Sequence, residues 1–234
     1  EISACLVGSE MCIRDSHMTM GEGGAVYTDN PILNRLILSY RDWGRDCICV
    51  SGQDDSCGHR YDGQFGELPC GYDHKYVYSH FGYNLKATDL QAAVGVEQLK
   101  KFPNFIKRRI HNWNRLHKAL ELVKDKIILP EPAENSEPSW FGFLISVKPE
   151  TGIQRNNVIK YIEEHNIQTR LLFSGNIIKH PCFNQIRETD TYRVVGELDS
   201  TEYIMNNTFW VGVYPGMTDA MIDYMASVII DALK

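Results

Sequence analysis

Three cysteines fall within eleven residues in CICVSGQDDSC, residues 47–57. Cys47, Cys49 and Cys57 sit among two Asp, two Ser and a Gly, a composition suited to a solvated loop and not to a core. Thiols are usually buried, so three on a polar loop leave three readings: disulfide partners, metal ligands, or chance clustering. The C-x-C pair departs from the C-x2–4-C knuckle of structural zinc sites, which ranks zinc low among the metals. The chain has seven cysteines, an odd number unevenly spread, and this does not look like a secreted disulfide framework. A reducing cytoplasm is the expected compartment, and there a thiol cluster binds metal or does chemistry more often than it cross-links.

The loop must be positioned by what flanks it. Residues 42–80 are rich in Gly, Asp, Tyr and Cys, have no sustained period, and are too long for a plain connection. Trp43 and the tyrosines favour an ordered, functional insertion. Before it, Gly21, Gly23 and Gly24 form a turn that feeds an expected strand at Ala25–Thr28. Asn30-Pro31 then opens a helix, with Asn as cap and Pro where no amide is wasted; Ile32, Leu33, Leu36, Ile37 and Tyr40 give it an apolar face. After the insertion, ATDLQAAVGVEQLKKF predicts a helix whose Thr88 and Gln91 make a capping box. Pro103 is expected to open a second long helix to about Val123, and Pro130, Pro132 and Pro138 mark a change of layer. The last hundred residues alternate: strands at Trp140–Val147 and within FWVGVYP, an extended IQTRLLF, a helix at Asn156–His165, and a final helix capped by Thr218. Trp113, Trp140 and Trp210 sit in periodic apolar settings and are read as core, and Cys182 as a packed hydrophobe. Alternation of this kind argues for an α/β or α+β module.

Composition narrows the function. A net charge of −6 and a pI near 5.8 argue against nucleic acid as a partner, and the basic run from Lys100 to Arg109 reads as a solvated helix face. No apolar run approaches the roughly 18 residues of a membrane span. The front of the chain is anomalous. LVGSEMCIRD, within CLVGSEMCIRDS, matches one reading frame of a transposase adapter used in short-read library preparation. Residues 1–16 are therefore read as an artefactual arm, in which Cys5 and Cys12 have no role, with the fold proper beginning at His17.

Taken in order, GEGGAVYTDNPILNRL, HFGYNLKATDLQAAVGVEQLKKF and FWVGVYPGMT resemble the DegT/StrS family of nucleotide-sugar aminotransferases. The insertion before GYN, with its cysteines, resembles the family's CDP-4-keto-6-deoxy-D-glucose-3-dehydrase branch of lipopolysaccharide biosynthesis. The resemblance runs from His17 to Lys234. It implies an α/β fold of the aspartate-aminotransferase-like type, fold type I of the pyridoxal-phosphate enzymes. Residues 17–102 would be the end of the large domain with the insertion at 42–80, and 103–234 a connecting helix and a small C-terminal domain.

The resemblance also implies site residues. Family aminotransferases carry a lysine five residues before the GEGG glycine, bonded covalently to pyridoxal phosphate; here that count lands on Ser16. The dehydrase branch has a histidine there in an A-H-H pattern, which makes His17 the second of the pair. An imidazole cannot hold the aldehyde as an amine does, yet it can shuttle a proton at neutral pH, which fits a cofactor kept as pyridoxamine phosphate. Cys47, Cys49 and Cys57 match the branch's C-x-C-x7-C ligands of a [2Fe–2S] cluster, with a fourth cysteine upstream and Cys70 as the substitute. Asn84 would reach a neighbouring subunit's cofactor phosphate in a homodimer, whereas Lys86 replaces a frequent arginine and loses its fork. Arg170 and His180, with LLFSGNIIKHP, would approach the nucleotide sugar, and an electron-donating reductase would be a partner. With Ser16 at the catalytic position, these residues alone are expected to be inactive. Two other functions stay open: a lysine-bearing sugar aminotransferase, and a non-catalytic module whose loop binds metal or docks a partner.

Overall fold

The computed structural model describes residues 18–21, 23–47, 49, 53, 55–189 and 191–234. The chain forms two compact units, one from Met20 to Gly95 and one built on Val96–Lys234. In the first, Asn30 starts helix α1 (Pro31–Arg41): its side-chain oxygen accepts from the amides of Ile32 at 2.9 Å and Leu33 at 3.3 Å. The helix buries Ser39, which meets His80 Nδ1 at 3.0 Å, whereas Ile32 is 71% exposed. Of the anticipated apolar face, Ile32, Leu33 and Tyr40 are exposed and Leu36 and Ile37 half-buried. Residues 25–28, anticipated as a strand, are irregular, with Tyr27 90% exposed. No described strand pairs with them, and an unpaired strand gains nothing over water.

Two segments cross at the foot of the insertion. Trp43 donates its amide to Tyr83 O at 2.8 Å, Ser79 to Gly44 O at 2.9 Å, and Tyr83 to Tyr40 O at 2.7 Å. Gly44 lies at φ 81°, and a Cβ built on it would sit 1.8 Å from His80 O; one on Gly82 would sit 2.2 Å from Gly44 N. Only glycine on both sides allows this approach.

Helix α2 (Asp89–Leu120) begins with the capping box: Thr88 N donates to Gln91 Oε1 at 2.8 Å, and Gln91 N to Thr88 Oγ1 at 3.3 Å. It runs unbroken through Pro103, where two helices were anticipated. Proline forfeits a single backbone bond in mid-helix, and helix persists on both sides of it.

In the second unit, β1 (Ile127–Ile128), β2 (Gly142–Val147), β3 (Thr169–Leu171) and β4 (Thr208–Gly212) make an antiparallel sheet ordered β1-β2-β4-β3. Alternation sends Phe143, Ile145 and Val147 of β2 inward with Phe209 and Val211 of β4. Against them pack Leu116 and Leu120 of α2, Val158 and Ile162 of α3 (Arg155–Glu164), and Ile222, Met225 and Ile229 of α5 (Asp219–Ala232). Helix α4 (Asp199–Asn207) leads into β4. On the other face, Gly142 pairs with Gly212, and a Cβ on Gly142 would come within 2.6 Å of the Trp210 ring. Trp113 and Trp210 are core as expected, at 5% and 4% exposure.

The basic run is solvated at Lys100, Lys101 and Lys107, as anticipated, but not at its end. Arg109 is buried and donates to the carbonyls of Trp140 and Phe141, because a guanidinium can satisfy several backbone oxygens at once. Arg108 donates to Met217 O and Asp219, both at 2.7 Å, while His111 and Arg115 also reach Asp219 and Arg115 grips Asp223. Asp219 opens α5 behind its Thr218 cap, so α2 cations complete that terminus. The hydrogen bond from Arg108, then that from His111, holds the Asp219 carboxyl below its ordinary 3.8.

Gly142→Val should destabilise by about 1–3 kcal/mol in denaturant unfolding, the usual cost of overpacking. Gly212→Ala, whose Cβ meets nothing within 4 Å, should change stability by no more than about 0.5 kcal/mol. Because the folded pKa of Asp219 is lowered, its stabilisation is present above the unfolded value of 3.8 and is lost as pH falls through the folded value. Thermal midpoints of Asp219→Asn should therefore fall less than wild type between pH 5 and the acid limb, and equal slopes would contradict the role given to Asp219.

Candidate functional site

The cysteine loop hangs from the crossing of Gly44 and Gly82, and further ties hold its flanks. Asp46, beside Cys47, pairs with His74 Nε2 and lies 3.5 Å from Arg35. Burial would raise the Asp46 carboxyl, but the hydrogen bond and charge of His74, with Arg35, outweigh it and hold it below the ordinary range. Arg60 grips Asp73 through two bonds of 3.1 and 2.8 Å, and Phe65 stacks on His74 at 5.0 Å. Among the described residues of 45–78 there is no long regular element, and the segment is fastened at its base and along its return.

At the tip the three thiols are neighbours. Cys49 is hydrogen-bonded to the Ser56 hydroxyl, which contributes most, and to Cys57 and Cys47, and its pKa is lowered to about 7. Cys47 moves the other way: burial pushes its thiol up, and proximity to Cys49 and Cys57 adds to this. All three are free, Cys57 exposed and the other two half-buried. Among the described residues no group of three or more His, Cys, Asp or Glu is arranged to hold a metal ion. The donor chemistry fits an iron–sulfur centre, since soft thiols stand together and one is half ionised near neutrality, but they are not drawn into a closed ligand set.

The remaining candidates are scattered. Asn84 is exposed, in a backbone bridge to Asp42; its free amide can donate to a phosphate. Lys86 is committed elsewhere, 2.8 Å from Asp42 and over the Trp43 ring at 4.3 Å. Arg170 lies on β3 opposite Trp210, and His180 is held through Nε2 by Ser174 O at 2.7 Å. Cys70 and Cys182 are exposed; the short turn Pro181–Phe183 leaves Cys182 at the surface, not packed as anticipated. Ser16 and His17, with Cys5, Cys12 and the arm at 1–16, lie outside the described residues. Sequence reasoning missed Ser56, Asp46 and His74, and its only available signal was their presence in or beside the cysteine segment.

A model of the DegT/DnrJ/EryC1/StrS aminotransferase family matches residues 15–230. The lipopolysaccharide biosynthesis protein RfbH of Salmonella typhimurium is 51% identical over 90% of this chain and 47% of its own length. The dTDP-4-dehydro-2,6-dideoxy-D-glucose 3-dehydratase of Saccharopolyspora spinosa is 49% identical over 89% of the chain and 44% of its own. The chain therefore spans about half the length of these relatives. Among solved structures, the E. coli GDP-4-keto-6-deoxy-D-mannose-3-dehydratase with bound hydrated PLP superposes with a TM-score of 0.73 at 24% identity, covering 92% of this chain and 52% of that one. The fold is the aminotransferase-like α/β type expected from the sequence.

The thiol geometry sets an order of reactivity in metal-free protein. Iodoacetamide at pH 7 should modify Cys49 before Cys47, as followed by peptide mass spectrometry, and Ser56→Ala should slow Cys49 severalfold. Equal rates for the two cysteines would remove the role assigned to Ser56.

Proposed function

We propose, for a chain that belongs to the DegT/DnrJ/EryC1/StrS aminotransferase family, that the enzyme it comes from is a pyridoxamine-phosphate-dependent 3-dehydratase of CDP-4-keto-6-deoxyglucose. The observation that carries this reading is the thiol trio of Cys47, Cys49 and Cys57, which a plain sugar aminotransferase does not need. The likeness to the S. spinosa 3-dehydratase supports it, as does that to RfbH, a lipopolysaccharide biosynthesis protein. When bound, pyridoxamine phosphate supplies an electron sink and a [2Fe–2S] cluster supplies single electrons.

This chain's residues have separate tasks in that reaction. Cys47, Cys49 and Cys57 would hold the cluster as thiolates, and Cys49, with its pKa lowered to about 7, is the one nearest that state at neutral pH. Cys57, the exposed thiol, is the one most open to the iron and, later, to an electron-donating reductase. Asn84 offers its exposed amide to the cofactor phosphate of a second subunit, so the working enzyme is a homodimer. In this reading the position occupied here by Ser16 carries an imidazole, which can move a proton but, unlike a lysine amine, cannot bond covalently to the cofactor aldehyde, and His17 stands beside it. Residues 17–102 then close the large domain and 103–234 form the connecting helix and small domain. His180 lies on the sugar-facing side of that domain.

Iron and acid-labile sulfide analysis of the full-length enzyme tests the proposal. Wild type should be brown with about two irons per chain, and Cys47→Ser, Cys49→Ser and Cys57→Ser should each lose most of the cluster. Unchanged content in all three variants would refute the ligand assignment. A colourless wild type with lysine at the position of Ser16 would instead identify an aminotransferase.

A further inference from the structure

The C-terminal unit holds a cavity of about 450 Å³ beside the outer face of β4, away from the cysteine loop in sequence and chemistry. That volume suits a small organic ligand. Trp210, Tyr214, Met217, Met221 and Tyr224 line it, with Arg170 among the few polar groups. The polar ends of two of these rings are already satisfied by protein: Trp210 Nε1 donates to Leu171 O, and the Tyr224 hydroxyl to His165 O, both at 3.2 Å. What they offer a ligand is therefore ring surface. Gly212, also in the lining, leaves open space where a side chain would stand: a Cβ built there has no atom within 4 Å, and its backbone is not left-handed.

Arg170 gives the cavity its polarity. Arg35, Arg60, Arg108 and Arg115 each pair with an aspartate. Among the described residues no carboxylate faces Arg170. Its Nη1 donates to Thr169 O at 2.8 Å, and the Gln168 side-chain oxygen, with its amide turned to face the guanidinium, accepts at 3.1 and 3.3 Å. Neutral acceptors orient the guanidinium without cancelling its charge. An oriented cation beside aromatic and thioether surface matches an anion on an apolar ring. One cation is too few for a diphosphate and its ribose, which argues for a singly charged ligand.

We propose that this cavity is a binding site for a small aromatic monoanion, with the ring packed among Trp210, Tyr214 and Tyr224 and the anionic head on Arg170. This assignment takes Arg170 away from the nucleotide-sugar role that the family resemblance implies for it, and it does not depend on the dehydratase reading.

Calorimetric titration of the full-length protein with 2-naphthoate tests it, with neutral 2-naphthamide as the uncharged control. Binding of 2-naphthoate at one site per chain is expected, at least about tenfold tighter than the amide, the usual worth of a charged hydrogen bond. Arg170→Gln should remove that preference while leaving the amide's affinity unchanged. Gly212→Leu, which fills the floor without meeting backbone, should abolish both. No binding of either compound, equal affinity for the two, or binding untouched by Gly212→Leu would overturn the proposal. Competition by CDP would also overturn it, by making the cavity part of the nucleotide-sugar site.

Discussion

The cysteine-bearing insertion depends on the near-contact of two backbones. At Gly44 and Gly82 the entering and returning chains come so close that neither position accommodates a Cβ, and Gly44 also needs a left-handed φ. That crossing lets Trp43, Tyr83, Gly44 and Ser79 exchange main-chain bonds, and it brings Asp42 beside Asn84 and Arg45 beside Tyr78. A long loop loses entropy when its ends are joined, but the cost grows slowly with length, so one well-made closure can serve the whole insertion. The outer ties follow the same logic. Asp46 to His74 and Arg60 to Asp73 are spaced along the loop, and each joins charges that are only partly exposed. Alanine at Gly44 would meet both the clash and the strain.

The C-terminal unit is held by a different constraint, burial on alternate strand positions. β2 is read directly from its pattern, because Phe143, Ile145 and Val147 face in while Leu144 and Ser146 are less buried. β4 is buried on both faces, since Trp210 fills the side away from the main core. Gly142 exists to make room for that ring, and Gly212 leaves the adjoining space open. The same two paired glycines therefore have opposite reasons, one set by a neighbour and the other by a void.

Much of this was legible in the sequence. Caps and boxes are local chemistry, so Asn30, Thr88 with Gln91, and Thr218 stand at helix starts as anticipated. Strand alternation located β2 and β4 to within two residues at each end. The failures share a cause, which is that periodicity reports amphipathicity but not which partner will cover the apolar side. Ile32, Leu33 and Tyr40 of α1 and residues 25–27 of the expected strand at 25–28 are exposed for that reason. Pro103 misled in another way, because a local propensity rule was read as a boundary inside a helix that continues. Arg109 misled because its burial depends on carbonyls thirty residues downstream, which no window of sequence contains.

The candidate site divides along the same line. That Cys47, Cys49 and Cys57 belong together could be inferred from spacing; that they are chemically unequal could not. Ser56 precedes Cys57 in sequence yet acts on Cys49, because a turn at 55–57 folds the hydroxyl back across the loop. Burial meanwhile disfavours the thiolate of Cys47. A loop with one thiol near ionisation and another held protonated presents two sulfurs of unequal reactivity. The rigid closure at Gly44 and Gly82 and the unequal thiols at the tip are therefore complementary. The base fixes the two ends of the insertion against each other within a few residues of Cys47, and beyond it burial and hydrogen bonding set the difference between Cys47 and Cys49.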